Sequence, residues 1–263
     1  MKKISILLAG ILILAACNSG GKKDAGTKMA MSDIAGDNLK GDISSIEESP
    51  YKTDSAGKIG EMDSCCINIT EYDANGNSSK SVSKDSKGTL SSESVFTRHP
   101  NGLFKSVANT AKGKSTGGFN TEVDEKGNYT LAQAIDSNGK NDIYYTNITQ
   151  NDLGQVTGWK QYDKDSVFRQ EGEAKFDKNL QMSFTLKDST GKVKSTSSSK
   201  YNDKGEQVES SNTNITKDTT TNTVTKYTYE THDDMGNWTQ RTTWNDKGKA
   251  TAIAKRTYTY RKK

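Results

Sequence analysis

His99 and His232 are the only two imidazoles in the chain, so any histidine-based acid–base or nucleophilic scheme must run through one of them. Each sits where a turn residue is expected, His99 before Pro100 and His232 before Asp233. There is no H-x-x-x-H string, no C-x-x-C pair and no Walker loop. Paired carboxylates could hydrolyse glycosides, but Asp residues here fall overwhelmingly in turns. Asp233-Asp234 could offer oxygens to calcium, but no EF-hand loop surrounds it. The residue types therefore predict no enzyme, no cofactor and no metal site. Aromatic rings give the better binding argument. Trp159, Trp238, Trp244, Tyr258 and Tyr260 stand out in so polar a chain, and rings on a sheet face stack on sugars or anchor a protein partner. Phe104, Tyr129, Val156, Met182 and Trp238 each fall two residues after a turn. That recurrence reads as core and leaves Trp159 and Trp244 as the surface candidates.

Cysteine chemistry centres on Cys17. Lys2 and Lys3 precede an apolar run, Ile4 to Leu14, and then Leu14-Ala15-Ala16-Cys17. A basic start, a short apolar stretch and small residues before a cleavage point make a secretory leader over residues 1–16. The Leu-Ala-Ala-Cys ending resembles the bacterial lipobox, which implies cleavage before Cys17 and acylation of its sulfur, hence a membrane partner through that anchor. Two or more acyl chains hold stably where one does not. Asn18 is not the Asp that resembles an inner-membrane retention signal, so the outer membrane is expected, with the facing side open. Residues 17–38 read as the lipidated cysteine and a flexible tether. Cys65 and Cys66 are adjacent, a spacing that strains a direct bridge, and are expected as strand residues facing opposite ways.

The elements that position these residues announce themselves through glycine. Asp or Asn stands three residues before Gly in ten places, from Asp54/Gly57 to Asn245/Gly248, with His99-Pro100-Asn101-Gly102 as a variant. Such a pair suits a type I turn in which the acidic or amide side chain caps its own backbone and Gly takes positive φ. Asp163–Ser166, Asp177–Leu180 and Asp218–Thr221 fit the same slot without glycine. Two interleaved series result, at 76, 102, 127, 154, 180, 205, 236 and at 88, 113, 139, 166, 191, 221, 248. The period of about 26 residues marks a repeat architecture of two strands per repeat. Between turns the pattern alternates, as in Leu180, Met182, Phe184 and Leu186, or Trp238, Gln240, Thr242 and Trp244. The expected fold is all-β, an antiparallel meander of about 16 strands over residues 39–263, either a twisted open sheet or a barrel-like tube.

Tyr72-Asp73-Ala74-Asn75-Gly76-Asn77, His232-Asp233-Asp234-Met235-Gly236-Asn237 and Val123-Asp124-Glu125-Lys126-Gly127-Asn128-Tyr129 resemble the YD repeat of Rhs-type proteins. Leu39-Lys40-Gly41-Asp42-Ile43-Ser44-Ser45-Ile46 looks like the start of uncharacterised lipoproteins that carry YD repeats. The resemblance implies extended antiparallel sheets that wrap into shells or bind glycans and protein partners. At this length the chain is expected neither to enclose a toxin nor to carry a toxin domain after Tyr260. Asp54-Ser55-Ala56, Asp165-Ser166-Val167, Asp188-Ser189-Thr190 and Asp218-Thr219-Thr220 also resemble acceptors of a bacterial envelope O-glycosylation system.

Composition agrees with many short strands. Only 30% of the 263 residues are hydrophobic, 27% are charged and 23 are glycine. That excludes a multi-span membrane protein, and the lack of an outward apolar band excludes a lipid-facing barrel. The net charge of +4 is spread among both signs, which argues against a nucleic-acid partner. The expected function is a lipid-anchored, non-enzymatic envelope surface for glycan or protein. The alternative is a periplasm-facing structural or assembly lipoprotein, and a hydrolase ranks last.

Overall fold

The computed structural model describes residues 30–262; the leader, Cys17 and the first part of the tether lie outside the described residues. A single-turn helix α1 (Asp33–Gly36) precedes strands β1 (Ile43–Thr53), β2 (Ile59–Met62), β3 (Ile67–Tyr72), β4 (Ser78–Lys84) and β5 (Leu90–Arg98). Then come β6 (Phe104–Ala111), β7 (Lys114–Val123), β8 (Tyr129–Ile135), β9 (Asn141–Gln150), β10 (Val156–Asp163) and β11 (Phe168–Asp177). The last six are β12 (Leu180–Asp188), β13 (Val193–Tyr201), β14 (Gln207–Ile215), β15 (Thr220–His232), β16 (Trp238–Trp244) and β17 (Ala250–Tyr260).

The turns form by the expected chemistry. Asp73 Oδ1 accepts the amides of Asn75 and Asn77, and the Gly76 amide donates to the Asp73 carbonyl. The same pattern of amides two and four residues on recurs at Asp54, Asp85, Asp124, Asp136, Asn151, Asp163, Asp188, Asn202, Asp233 and Asn245. Ser166 stands in for glycine at φ 61°. The other two slots without glycine form differently. Asp177 pairs directly with Leu180 across a two-residue turn with Lys178 at φ 54°. The last turn closes between Thr216 and Thr219, where the Thr216 hydroxyl replaces the Asp cap.

From β3 onward each strand pairs antiparallel with its successor. β1 pairs with β17 on one side, from Ile43↔Tyr260 to Tyr51↔Ile253, and with β3 on the other. Sixteen strands thus close into a barrel, and β2 is an extra strand laid against the end of β1. Closure leaves the ring without a free edge, which decides between tube and open sheet. The outer wall is cross-linked by charge, with Lys80–Glu93 at 2.6 Å, Lys200–Glu209 at 2.8 Å and Lys187 between Glu171 and Glu173. No described helix is long and apolar enough to cross a membrane.

Residues 30–38, expected within the tether, instead plug one mouth of the barrel. Ala30 donates its amide to the Asn101 carbonyl, and Ile34 to that of Gly76. Asn179 Nδ2 donates to the Ala35 and Gly36 carbonyls, and Asn38 Nδ2 to that of Lys204. Asn237, 3% exposed, accepts from the Lys40 amide and donates to its carbonyl, both at 2.8 Å. Ile34 packs on Ile43, Ile46 and Tyr72, flanked by Leu39, Tyr258 and Tyr260. Small polar composition hid this segment, because its anchors are turn residues far along the chain. The two turn series consequently define two different mouths. Around the plug, a Cβ at Gly76, Gly102, Gly154, Gly205 or Gly236 would touch residues 30–40, whereas Gly88, Gly113, Gly139, Gly191 and Gly248 border open space.

Cys65 and Cys66 also differ from expectation. They lie in the kink between β2 and β3, not in a strand, and their sulfurs are joined. Cys66 stands at φ 75°, so the pleat that would have turned the two side chains to opposite faces is absent.

Candidate binding site in the barrel lumen

Between the plug and the facing wall lies a cavity of about 470 Å³, within the range of about 300–1,000 Å³ that holds small ligands. α1 and its exit present Asp37 and Asn38; the wall presents Gln181, Tyr201, Gln207, Tyr229, Trp238, Arg241 and Arg256. Alternation along β16 and β17 places Arg241 and Arg256 inward. Both guanidiniums lie over the Trp238 ring, Arg256 at 4.0 Å and Arg241 at 4.9 Å from its centroid, with the Tyr229 ring at 5.8 Å.

The polar groups fall into fixed and free sets. Tyr229 donates its hydroxyl to the Gln207 carbonyl at 2.8 Å, Tyr201 to that of Gln181 at 3.0 Å, and Tyr258 to that of Trp238 at 2.8 Å. Burial raises all three phenols above their ordinary range. Glu206 accepts from His232 Nε2 at 2.6 Å and from Asn202 Nδ2 at 2.7 Å. Arg256 pairs with Glu48 at 2.7 Å; burial opposes its charge most strongly, but Glu48 and Tyr258 together outweigh burial and hold the guanidinium above its usual range. Asp37 forms no ion pair among the described residues. Asp37 keeps an exposed surface, yet the desolvating atoms crowded around it push its carboxyl up to about 6, opposed by Arg256 and reinforced by Asp33.

That shift has a definite sign. A carboxyl whose folded pKa lies above its unfolded value of about 4 leaves its stability intact at low pH, and loses it as pH climbs through the folded value. The loss tied to Asp37 therefore falls between about pH 4 and 6. The turn carboxylates Asp54, Asp85 and Asp136 are held below their usual range by backbone amides, so their contribution is lost only on acidification. A D37N chain is expected to melt like the wild type at pH 4 and at a higher temperature at pH 7. Thermal melts across pH 3–8 check this, and equal midpoints at pH 7 would refute it.

The five aromatic candidates separate. Trp238 and Tyr258 meet beside the cavity. Trp159 faces the lumen farther along, in a row of rings running Phe104, Phe119, Tyr145, Trp159, Phe184 at 5.2–6.4 Å spacings. It covers Gly172, where a Cβ would press on its ring at 2.5 Å. Trp244 is outside the wall, donating to Thr228 and covered by the Gly57 turn. Trp238 and Trp244 thus lie on opposite sides of the wall, because irregular register between β15 and β16 next to Trp238 interrupts the expected alternation. Tyr260 serves the plug, its hydroxyl donating to Asp233 and accepting from Asn237 at 2.8 Å, with its phenol raised to about 12 chiefly by burial.

Arg241, Arg256, Glu48, Glu206, Asp37, Tyr201 and Tyr229 carry no motif. One signal was available: the chain has five arginines against 32 lysines. Three of those five, Arg98, Arg241 and Arg256, face the lumen or plug, and Arg261 fixes the closing strand by donating to the Tyr72 and Asp73 carbonyls. Rare guanidiniums in a lysine-rich chain mark sites that need a planar fork. Gly113-Lys114-Ser115-Thr116-Gly117 has the spelling of a nucleophile elbow, but it follows a hairpin turn into β7 rather than joining a strand to a helix. Among the described residues no three His, Cys, Asp or Glu side chains converge as a metal site. The hydroxyls of Ser55, Ser166, Ser189 and Thr219 all lie on exposed turns.

No protein-family model and no curated protein matches the chain. Among solved structures, a porin-like protein from Bacteroides uniformis superposes with a TM-score of 0.52 at 11% identity, covering 82% of this chain and 98% of that one. A porin-like protein from Bacteroides vulgatus gives 0.34 at 13% identity, covering 82% and 98%. TcdB2–TccC3 gives 0.29 at 11% identity, covering 78% of this chain and 13% of that one. Only the first superposition carries weight, and at that identity it speaks to the fold alone.

Proposed function

We propose that this chain is a lipid-anchored, non-enzymatic β-barrel of the bacterial cell envelope that binds a small polar ligand, a glycan, at the plugged end of its lumen. The cavity carries the reading: rings, amides and phenols stand around a space of ligand size, walled by the plug and the sheet. Trp and Tyr faces suit sugar rings, and amides suit their hydroxyls. The Leu14-Ala15-Ala16-Cys17 string supports the anchor, and the fold shared with a porin-like protein fits an envelope barrel. The charged outer wall fits a barrel held off the bilayer rather than within it. Twelve residues lie between Cys17 and Ala30, so the two are joined by at most about 45 Å of chain. That length keeps the plugged mouth within about 45 Å of an anchor on Cys17.

The full-length lipoprotein in detergent, titrated with a glycan library, is expected to show Trp fluorescence changes with at least one member. W238F should remove that change while W244F keeps it. Mass spectrometry should recover the glycan intact. Turnover that dies with a Glu206 or His232 change would instead establish a hydrolase. Silence across the library would favour the structural or assembly role. Protease shaving of intact cells then fixes which side the body faces.

A further inference from the structure

Arg241 differs from its neighbour Arg256 in one respect: no carboxylate pairs with it among the described residues. Its Nε is buried and has no hydrogen-bond partner among the described residues. The Tyr227 and Trp238 rings hold the guanidinium at 5.1 and 4.9 Å, so its plane is fixed while it borders the cavity. A buried donor left unmade is costly, and a guanidinium held by ring faces is ready for a planar oxyanion.

We propose that Arg241 is the clamp for an anionic ligand, a sugar bearing a carboxylate, and this rests on the lumen site proposed for the chain. Charge arithmetic selects the carboxylate over a phosphate. Arg241, Lys40 and Lys204 border the cavity against Asp37 and Glu206, a net charge of one positive that matches one monoanion, and the second guanidinium is already neutralised by Glu48 at 2.7 Å. Asp37 and Glu206 border the same space and disfavour a dianion. The sugar body follows from the rest of the lining, where Tyr201 and Tyr229 offer rings and Gln181, Gln207 and Asn38 offer amides. The alternative, that Arg241 only stacks to stiffen the wall, predicts no difference between charged and neutral ligands.

Calorimetry of the full-length lipoprotein with digalacturonate and with its dimethyl ester separates the two. The acid is expected to bind at least tenfold tighter than the ester. R241Q should weaken the acid by roughly tenfold to a hundredfold, to the level of the ester, and leave the ester unchanged. R241K should fall between, since it keeps the charge and loses the fork. The comparison of acid with ester in the wild type stands even if a variant misfolds. Equal binding of both overturns the clamp and leaves the lumen site standing, as does binding of neutral glycans alone. Failure of both probes also overturns it, and the library titration then judges the lumen site separately. Galactose 1-phosphate binding tighter than digalacturonate overturns the choice of a carboxylate.

Discussion

A Gly117→Ala chain is expected to be about 3–5 kcal/mol less stable than the wild type, a large share of the roughly 5–15 kcal/mol that holds a domain together. Two costs combine at this position. Gly117 stands at φ 106°, a region L-residues avoid, and an added Cβ would overlap the Ile135 carbonyl oxygen on β8. That atom belongs to the backbone of the adjoining strand, so relief requires the ladder between β7 and β8 to shift. Gly139 supplies the control, at φ 78° with nothing within 4 Å. Alanine there should cost only the dihedral term, about 1–2 kcal/mol. Urea unfolding of both variants measures the difference, and equal losses would show that the barrel yields at β8.

Removing Asp33 is expected to release the plug, with D33A costing about 3–5 kcal/mol. Asp33 is 7% exposed, accepts the Ser78 amide at 2.8 Å and pairs with Arg98 at 2.5 Å. Its loss strands a guanidinium that cannot discharge. The reverse change is gentler. In R98M the abandoned group is a carboxyl that burial already raises against the pull of Arg98, so it neutralises as pH falls. D33A should therefore be damaging from pH 4 to 8, whereas the cost of R98M should shrink toward pH 4. Hydrogen exchange at the Ile34, Gly36 and Leu39 amides, bonded respectively to Gly76, Ser32 and Ile34 carbonyls, reports the opening directly. An R98M penalty independent of pH would contradict the argument.

The strands were legible because their turns are local. Asp or Asn at one position and Gly three later encode a complete hydrogen-bonded closure within five residues, so spacing alone revealed the two series. The turns near Asp177 and Asp218 stand where the spacing puts them but differ in form, because Lys178 at positive φ and the Thr216 hydroxyl close them by other means. The cavity was not legible, since its partners are joined only by barrel closure. Glu48 meets Arg256 across 208 positions, and Lys40 meets Asn237 across 197. Trp238 was read as core and Trp159 as surface; a hollow barrel blurs that division, because a residue can face solvent and still face inward.

The same closure sets an order of events. Fifteen of the ring's pairings join neighbours in sequence or nearly so, and such contacts form early because their loops are short. The pairing of β1 with β17 must bring residues 43–53 to residues 250–260. A chain emerging N-terminus first therefore holds β1 with an unsatisfied flank until its final strand arrives. Truncation anywhere before Ala250 leaves a permanently open sheet with two sticky borders. Such fragments are bound for aggregation or degradation rather than partial function.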